Sequence, residues 1–250
     1  MGDGWPCADR NHSSYLYRLG KTTLLIDCGE PVSRTFRATG LDYDLIDHVF
    51  LSHLHCDHIG GFFMFVQGLW LQQREKDLPV HLPEYGIQPI RNLLDASMIF
   101  DELLGFRLQF KPLQSGRTVK AGGVRVTPFP TSHLESLRLR YQAKYPHSFE
   151  AFSFLLETGG VRIGHSADLG APEDLEPLLR KPLDLLVCEL AHFKPKDIFR
   201  YLHGRPIKQI VFIHLTRHYW DTLEEIRALG RNMLGGIPFA FANDGQEFKV

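Results

Sequence analysis

Along the whole chain, short apolar runs of strand length alternate with longer segments whose apolar residues recur at helical spacing. Tyr15–Leu19 and 23–27 read as two strands joined by a turn at Gly20-Lys21, and 48–52 as a third. Segment 61–76 predicts a helix, 80–82 a short strand, and 87–104 a second helix. A run of strands follows at Leu108–Pro112, 118–121, 124–129, 152–157 and 161–164, the last two joined by Gly159-Gly160. The second half repeats helix and strand: helix 172–180, strand 185–189, helix 194–202, strand 209–213, helix 220–233 and strand 238–242. Asn243-Asp244-Gly245 then predicts a hairpin turn into 247–250. Strands followed by helices in both halves imply an α/β fold: a four-layer αββα sandwich, two mixed β-sheets packed face to face with helices outside. Residues 1–250 are read as one domain. The chain opens on a Gly-rich turn and not on a strand, so the edge of the first sheet is either built differently or begins outside this sequence.

Composition narrows the picture only a little. With 28 Lys+Arg against 29 Asp+Glu the formal charge is -1, so nothing global points to nucleic acid or to an anionic membrane. The four cysteines, Cys7, Cys28, Cys56 and Cys188, form no Cys-x-x-Cys pair and read as reduced thiols. No basic-then-apolar leader opens the chain, and Pro6 spoils an acylation reading of Met1-Gly2. The greasiest stretch, 59–71, contains Gly60, Gly61, Gln67 and Gly68 and falls short of the ~20 residues of a spanning helix. A cytoplasmic protein with no membrane partner is the default expectation. The predicted helix 61–76 is apolar almost all round, which suits either a homodimer through its free face or burial under 87–104.

The chemistry concentrates in His53-Leu54-His55-Cys56-Asp57-His58, directly after the apolar run Val49-Phe50-Leu51. Alternate side chains of an extended segment point the same way, so His53 and His55 can grip one ion together. Asp57 and His58 then turn toward a helix start at Gly60-Gly61 and can face a second ion. Neutral imidazoles with a carboxylate suit zinc or a similar divalent ion. This motif resembles the signature of the metallo-β-lactamase-fold superfamily, which adds a histidine, a bridging aspartate and a last histidine, each just past a strand. Val124-Arg-Val-Thr-Pro-Phe-Pro-Thr-Ser-His133, Val161-Arg-Ile-Gly-His-Ser-Ala-Asp168 and Gln209-Ile-Val-Phe-Ile-His214 supply them in that order. The resemblance spans nearly the whole chain. It implies that His53, His55 and His133 hold one metal, that Asp57, His58 and His214 hold the other, and that Asp168 bridges them. Two Zn2+ ions, with Mn2+ or Fe2+ as alternatives, would then lower the pKa of a bridging water toward ~7 and make it a nucleophile. Asp57 would orient that hydroxide.

Within the superfamily the chain looks most like ribonuclease Z and its phosphodiesterase relatives, through the opening turn with Arg10-Asn11, the Asp57-His58 pair and the long interval from His58 to His133. The resemblance implies a His-Glu pair that protonates the leaving group, placed after the strand following the bridging aspartate. Here that stretch reads Leu185-Leu-Val-Cys188-Glu189-Leu-Ala-His192: Glu189 fits, Cys188 stands where the histidine would be, and His192 is the candidate substitute. The long basic arm used to hold tRNA is not visible, and the interval from His133 to Asp168 reads as a loop with Arg138, Arg140 and Lys144. Of the remaining histidines, His165 is a candidate support for a ligand, His12 lies in a turn that approaches the site, and His48, His81, His147, His203 and His218 read as surface or packing groups. Three functions stay open: a phosphodiesterase or nuclease with RNA as a candidate substrate; a hydrolase of thioesters, lactones or β-lactams; and a non-hydrolytic metal-binding or redox protein.

Overall fold

The computed structural model describes residues 2–250; Met1, where the discarded acylation motif begins, lies outside them. A five-stranded sheet carries, in order, β1 (Tyr15–Leu19), β2 (Thr22–Ile26), β3 (His48–Phe50), β4 (Leu78–Leu82) and β5 (Leu108–Pro112). Only β1 and β2 are antiparallel; β2 through β5 are parallel. A seven-stranded sheet carries β6 (Val119–Ala121), β7 (Val124–Pro130), β8 (Phe152–Thr158), β9 (Val161–His165), β10 (Leu185–Leu190), β11 (Ile210–Leu215) and β12 (Phe239–Phe241), likewise in sequence order. Its first four strands are antiparallel neighbours and β9 through β12 are parallel.

Parallel neighbours need crossovers, and the helices supply them. They are α1 (Val32–Ala38), α2 (Cys56–Ile59), α3 (Phe62–Leu71), α4 (Ile87–Ala96), α5 (Glu135–Tyr141), α6 (Glu176–Leu179), α7 (Pro195–Leu202), α8 (Arg217–Asp221) and α9 (Leu223–Met233). Strand alternation sorts the apolar residues into three clusters. Leu24, Ile26 and Phe50 of the first sheet meet Val126, Phe154, Val187, Val211 and Ile213 of the second. The intervening residues Leu25, Val49 and Leu51 turn outward onto Phe62, Phe65 and Val66 of α3. On the other side, Leu186, Cys188, Ile210 and Phe212 turn outward onto Ile198 and Phe199 of α7 and Ile226 of α9. Helix, sheet, sheet, helix is therefore the layer order, as expected.

Local departures have local causes. The helix predicted over 61–76 stops at Leu71; Gln73 takes a positive φ of 56°, and Arg74 leaves the helix path. Arg74 is 1% exposed and donates to the carbonyls of Tyr43, Ile46, Lys76 and Asp77, closing polar groups that the helix pattern hides. The helix predicted over 87–104 ends at Ala96, with Met98 at φ 59°. The interval after His133 contains the helix α5 where a loop is expected, and 32–38 is helical where nothing is. The predicted terminal hairpin does not form: Gly245 turns at φ 73°, but 247–250 pairs with no strand.

His81 makes the fold pH-sensitive. It stacks on Phe50 with ring centroids 4.5 Å apart, lies 3.1 Å from His48 Nδ1, and burial, helped by His48, pulls its pKa down to about 3 from 6.5. Above pH 6.5 the imidazole is neutral folded or unfolded. Below it, the unfolded chain takes up a proton that the folded chain refuses, so stability falls with acidification, by up to about 1.4 kcal/mol per pH unit. His81→Phe should remove about that slope between pH 6.5 and 4 in urea unfolding. A parent-minus-variant difference that is flat with pH would contradict this account.

Candidate metal centre

The relative directions of the strands bring the ligand candidates to one end of the sandwich. β7 and β9 are both antiparallel to β8, so they run parallel to each other and to β10 and β11. The residues just past β7, β9 and β10, and the end of β11, thus share one rim, as ligand-binding residues do at the carboxyl ends of parallel strands. The segment after β3 faces them from the other sheet, with His55 capping α2 and Asp57 and His58 on it.

All seven expected ligands meet there in two groups. His53 Nε2 and His133 Nε2 each lie 3.1 Å from His55 Nδ1, and 3.8 and 3.7 Å from Asp168 Oδ2. In the second group His58 Nε2 lies 3.5 Å from Asp57 Oδ2 and 3.3 Å from Asp168 Oδ1, and His214 Nε2 lies 3.8 and 3.4 Å from the Oδ2 atoms of Asp57 and Asp168. Four donors placed tetrahedrally at about 2.1 Å from a zinc ion are about 3.4 Å from one another. The second group matches that spacing; the three imidazoles of the first lie within 4.8 Å of one another, and Asp168 Oδ2 stands 3.7–3.8 Å from two of them. His58 Nε2 and Asp168 Oδ1 are buried and, among the described residues, have no hydrogen-bond partner, which a cation between them would supply.

The electrostatics point the same way. Burial and the neighbouring imidazole of His58 hold His53 well below its ordinary pKa, so it is a neutral donor. Burial opposes charge on His58 and His214 too, but the Asp168 carboxylate, joined at His58 by Asp27, outweighs it and raises both. Asp57 falls to about 2 although burial pushes it up, through the adjacent His58 imidazole and the charges of His58 and His214. The carboxylates thus favour positive charge between them, a demand that metal ions meet and protons meet in their stead.

Surrounding groups fix the ligands. Asp27 Oδ2 accepts from His58 Nδ1 at 2.7 Å, which leaves the His58 Nε2 lone pair facing the centre. Ser52 donates its backbone N–H and its hydroxyl to Asp27, and its oxygen lies 3.0 Å from His53 Nδ1; Ser13 Oγ lies 3.1 Å from His214 Nδ1. Asp174 accepts from Ser132 and from the backbone of Gly170 and Ala171, tying the loop of His133 to that of Asp168. A Cβ on Gly170 would fall 2.3 Å from the Ser132 backbone, so only glycine allows this approach. Of the six non-glycine residues at positive φ among the described residues, Asp27 (59°), Ala167 (47°) and His214 (51°) are here, strain concentrated where ligand candidates are aimed. His214 is also the residue skipped in pairing, since Glu189 pairs with Ile213 and Leu190 with Leu215. Simple alternation would turn it toward the helices beside Phe212; the bulge redirects it to the centre.

Glu189 has the parity of Leu185 and Val187 and faces inward, fully buried. Its carboxylate accepts from the backbone N–H groups of Leu169, Ala191 and His192 and from His192 Nδ1 at 2.8 Å. His192 Nε2 then lies 3.9 Å from Asp168 Oδ2, facing the centre. Cys188 points the other way, into the helix-covered cluster, and burial holds its thiol protonated. Cys188 so turned faces away from the ligand candidates, and the expectation that it occupies the place of a proton donor is corrected. His165 bonds Tyr17 at 2.8 Å and not a ligand, and neither His12 nor His218 enters a ligand group. Asp27 and Asp174 escape sequence reasoning because each acts on residues distant in the chain.

A family model described as "Beta-lactamase superfamily domain" matches residues 22–231. The chain belongs to the beta-lactamase superfamily. Among curated relatives of this superfamily member, ribonuclease Z of Archaeoglobus fulgidus is 30% identical over 129 residues, 52% of this chain and 41% of that protein. Ribonuclease Z of Porphyromonas gingivalis is 33% identical over 135 residues, covering 53% and 43%. The matches thus span about two fifths of those relatives' length. Two solved structures share the fold over almost the whole chain. The metallo-beta-lactamase fold protein YhfI of Bacillus subtilis has a TM-score of 0.76 at 19% identity, with 98% of this chain and 94% of that one covered. The short form of human tRNase Z has a TM-score of 0.73 at 17% identity, with 98% and 95% covered.

Asp27 offers a direct check on the centre. Asp27→Ala frees His58 to rotate and change tautomer, and should weaken zinc binding 10- to 100-fold in a competitive chelator titration. Unchanged affinity would mean that the bond at His58 Nδ1 does not orient a ligand.

Proposed function

We propose that this superfamily member is a hydrolase that uses two divalent ions, Zn2+ best suited to five imidazoles and two carboxylates, to open phosphodiester bonds. The observation that carries the reading is the three-imidazole group of His53, His55 and His133 beside the four-donor group of Asp57, His58, Asp168 and His214, with His192 facing the same space. When bound, the ions supply Lewis acidity and a nucleophilic hydroxide at neutral pH. The chain's own part is to position and to move a proton. Asp57, 12% exposed at the rim of the centre, is placed to accept a hydrogen bond from the attacking water. His192 is the proton donor: burial disfavours its charge, but the hydrogen bond and charge of Glu189 push it up to about 9. Glu189 does not reach substrate; it holds the His192 ring and stabilises its protonated form. As the P–O bond breaks, the Nε2 proton passes to the departing oxygen.

Resemblance to ribonuclease Z over half of the chain supports a phosphodiester, and RNA, over thioesters, lactones or β-lactams. Free Cys7, Cys28, Cys56 and Cys188 support a reducing compartment, the cytoplasm. Among the described residues no helix is long and apolar enough to cross a membrane. Met64 and Leu71, 55% and 59% exposed on and at the end of α3, support a homodimer through that helix.

On the zinc-loaded protein, a panel of an RNA, a bis-aryl phosphodiester, a thioester, a lactone and a β-lactam should show turnover of the two phosphodiesters. Turnover of acyl substrates alone would overturn the assignment. His192→Ala should lower kcat on RNA by about 10²–10³ while sparing the bis-aryl ester, whose phenolate leaves without a proton. Equal losses on both would remove His192 from proton transfer. Light scattering at micromolar concentration should give twice the 28.6 kDa chain mass, and Met64→Lys should halve it; a parent of single-chain mass would end the dimer reading.

A further inference from the structure

The opening loop is laid over one half of the metal centre. Gly2 N–H bonds the Asn11 carbonyl at 3.0 Å, Asn11 N–H bonds Asp244 at 2.8 Å, and the Arg10 guanidinium sits 4.0 Å over the Trp220 ring. At its nearest point, Gly4 packs on Asp57: a Cβ there would lie 3.3 Å from Oδ2, the atom that faces His58 and His214. The next residue is Trp5. Its ring lies 4.6 Å from the guanidinium carbon of Arg217, the third residue after His214 and the first of α8. The Trp5–Arg217 pair therefore borders the Asp57–His214 half of the centre from two unrelated parts of the chain.

Neither member is occupied by the fold. Trp5 is 57% exposed, so the stack on Arg217 leaves much of the indole open to another partner. Arg217 is exposed as well. Among the described residues its guanidinium has no ion pair or side-chain hydrogen bond, and the Trp5 indole N–H has no hydrogen bond. Arg10, by contrast, stacks on the half-buried Trp220. A large aromatic surface kept in water beside an unpaired guanidinium suits a ligand that presents a planar ring next to an anion. At a centre that opens phosphodiesters, a nucleotide has that chemistry.

We propose that Trp5 and Arg217 form a nucleotide platform, the indole stacking on a base of single-stranded RNA and the guanidinium gripping a flanking phosphate. The proposal rests on the phosphodiester reading above. It assigns substrate grip to two residues at the metal rim, and Arg217 stacked on the indole holds the ring in place.

The test uses the zinc-loaded full chain and a short oligoribonucleotide, beside the same oligonucleotide with abasic positions. Trp5→Leu should raise KM for the RNA about tenfold, with the loss carried by KM, and should have little effect on the abasic strand, which has no base to stack. Trp5→Phe should recover most of the affinity. Arg217→Gln should weaken binding of both strands and reduce the slope of log affinity against log salt by about one. Zinc content and thermal midpoint serve as controls on folding. Equal KM increases on intact and abasic strands, or no increase, would overturn the platform and leave the pair as a tether for the loop. A separate arm needs no turnover. The oligonucleotide should quench indole fluorescence in the parent and not in Trp5→Leu. Absence of quenching overturns the platform even if RNA is cleaved, whereas quenching without any phosphodiester cleavage sustains it and sinks only the hydrolytic reading.

Discussion

Burying two carboxylates and five imidazoles at one end of a sandwich creates an electrostatic constraint to which the surrounding architecture answers. Asp168 is 3% exposed and faces both ligand groups, so without compensating positive charge its ionised form would be strongly disfavoured. The raised pKa values of His58 and His214 express that demand. Cations held by these donors would satisfy it. The strained backbone at Ala167 and His214 is tolerated because it aims ligands into this space.

Rigid supports divide the work. Asp27 and Ser52, at the ends of β2 and β3, lock His58 and His53 from the first sheet. Asp174 joins the His133 and Asp168 loops of the second. The centre lies where the two sheets face each other, and each sheet contributes ligands whose orientation is set by hydrogen bonds from its own side. Glu189 plays a different part: two of its four acceptor contacts go to His192 and aim it, and the other two hold the backbone of Leu169 and Ala191. The proposed proton donor thus stands beside the ligand candidates and shares a support with them, since Glu189 also holds the backbone of Leu169, next to Asp168.

Much of this was legible along the chain because it is written in local spacing. His53-Leu54-His55-Cys56-Asp57-His58 is compact, so its ligand chemistry needs no tertiary information. Strand periodicity gave the layers, since Leu24, Ile26 and Phe50 alternate with Leu25, Val49 and Leu51. Period alone failed where polar groups decide the path, as at Arg74, whose bonds to carbonyls 28 and 31 residues away end a helix that the apolar pattern would continue. It failed again at α5, a helix with no buried residue and hence no apolar stripe to read.

What the sequence determined by itself is the compact set of donor candidates from His53 to His58 and the layer each strand residue faces, because these follow from side-chain chemistry and a two-residue period. Only the tertiary structure decided that the outlying candidates reach the histidine-rich loop, that a bulge turns His214 inward, that Cys188 faces away, and that Asp27 stands behind His58. Those outcomes depend on contacts between residues up to about 200 positions apart, as at Ser13 and His214, and no local pattern encodes a separation of that size.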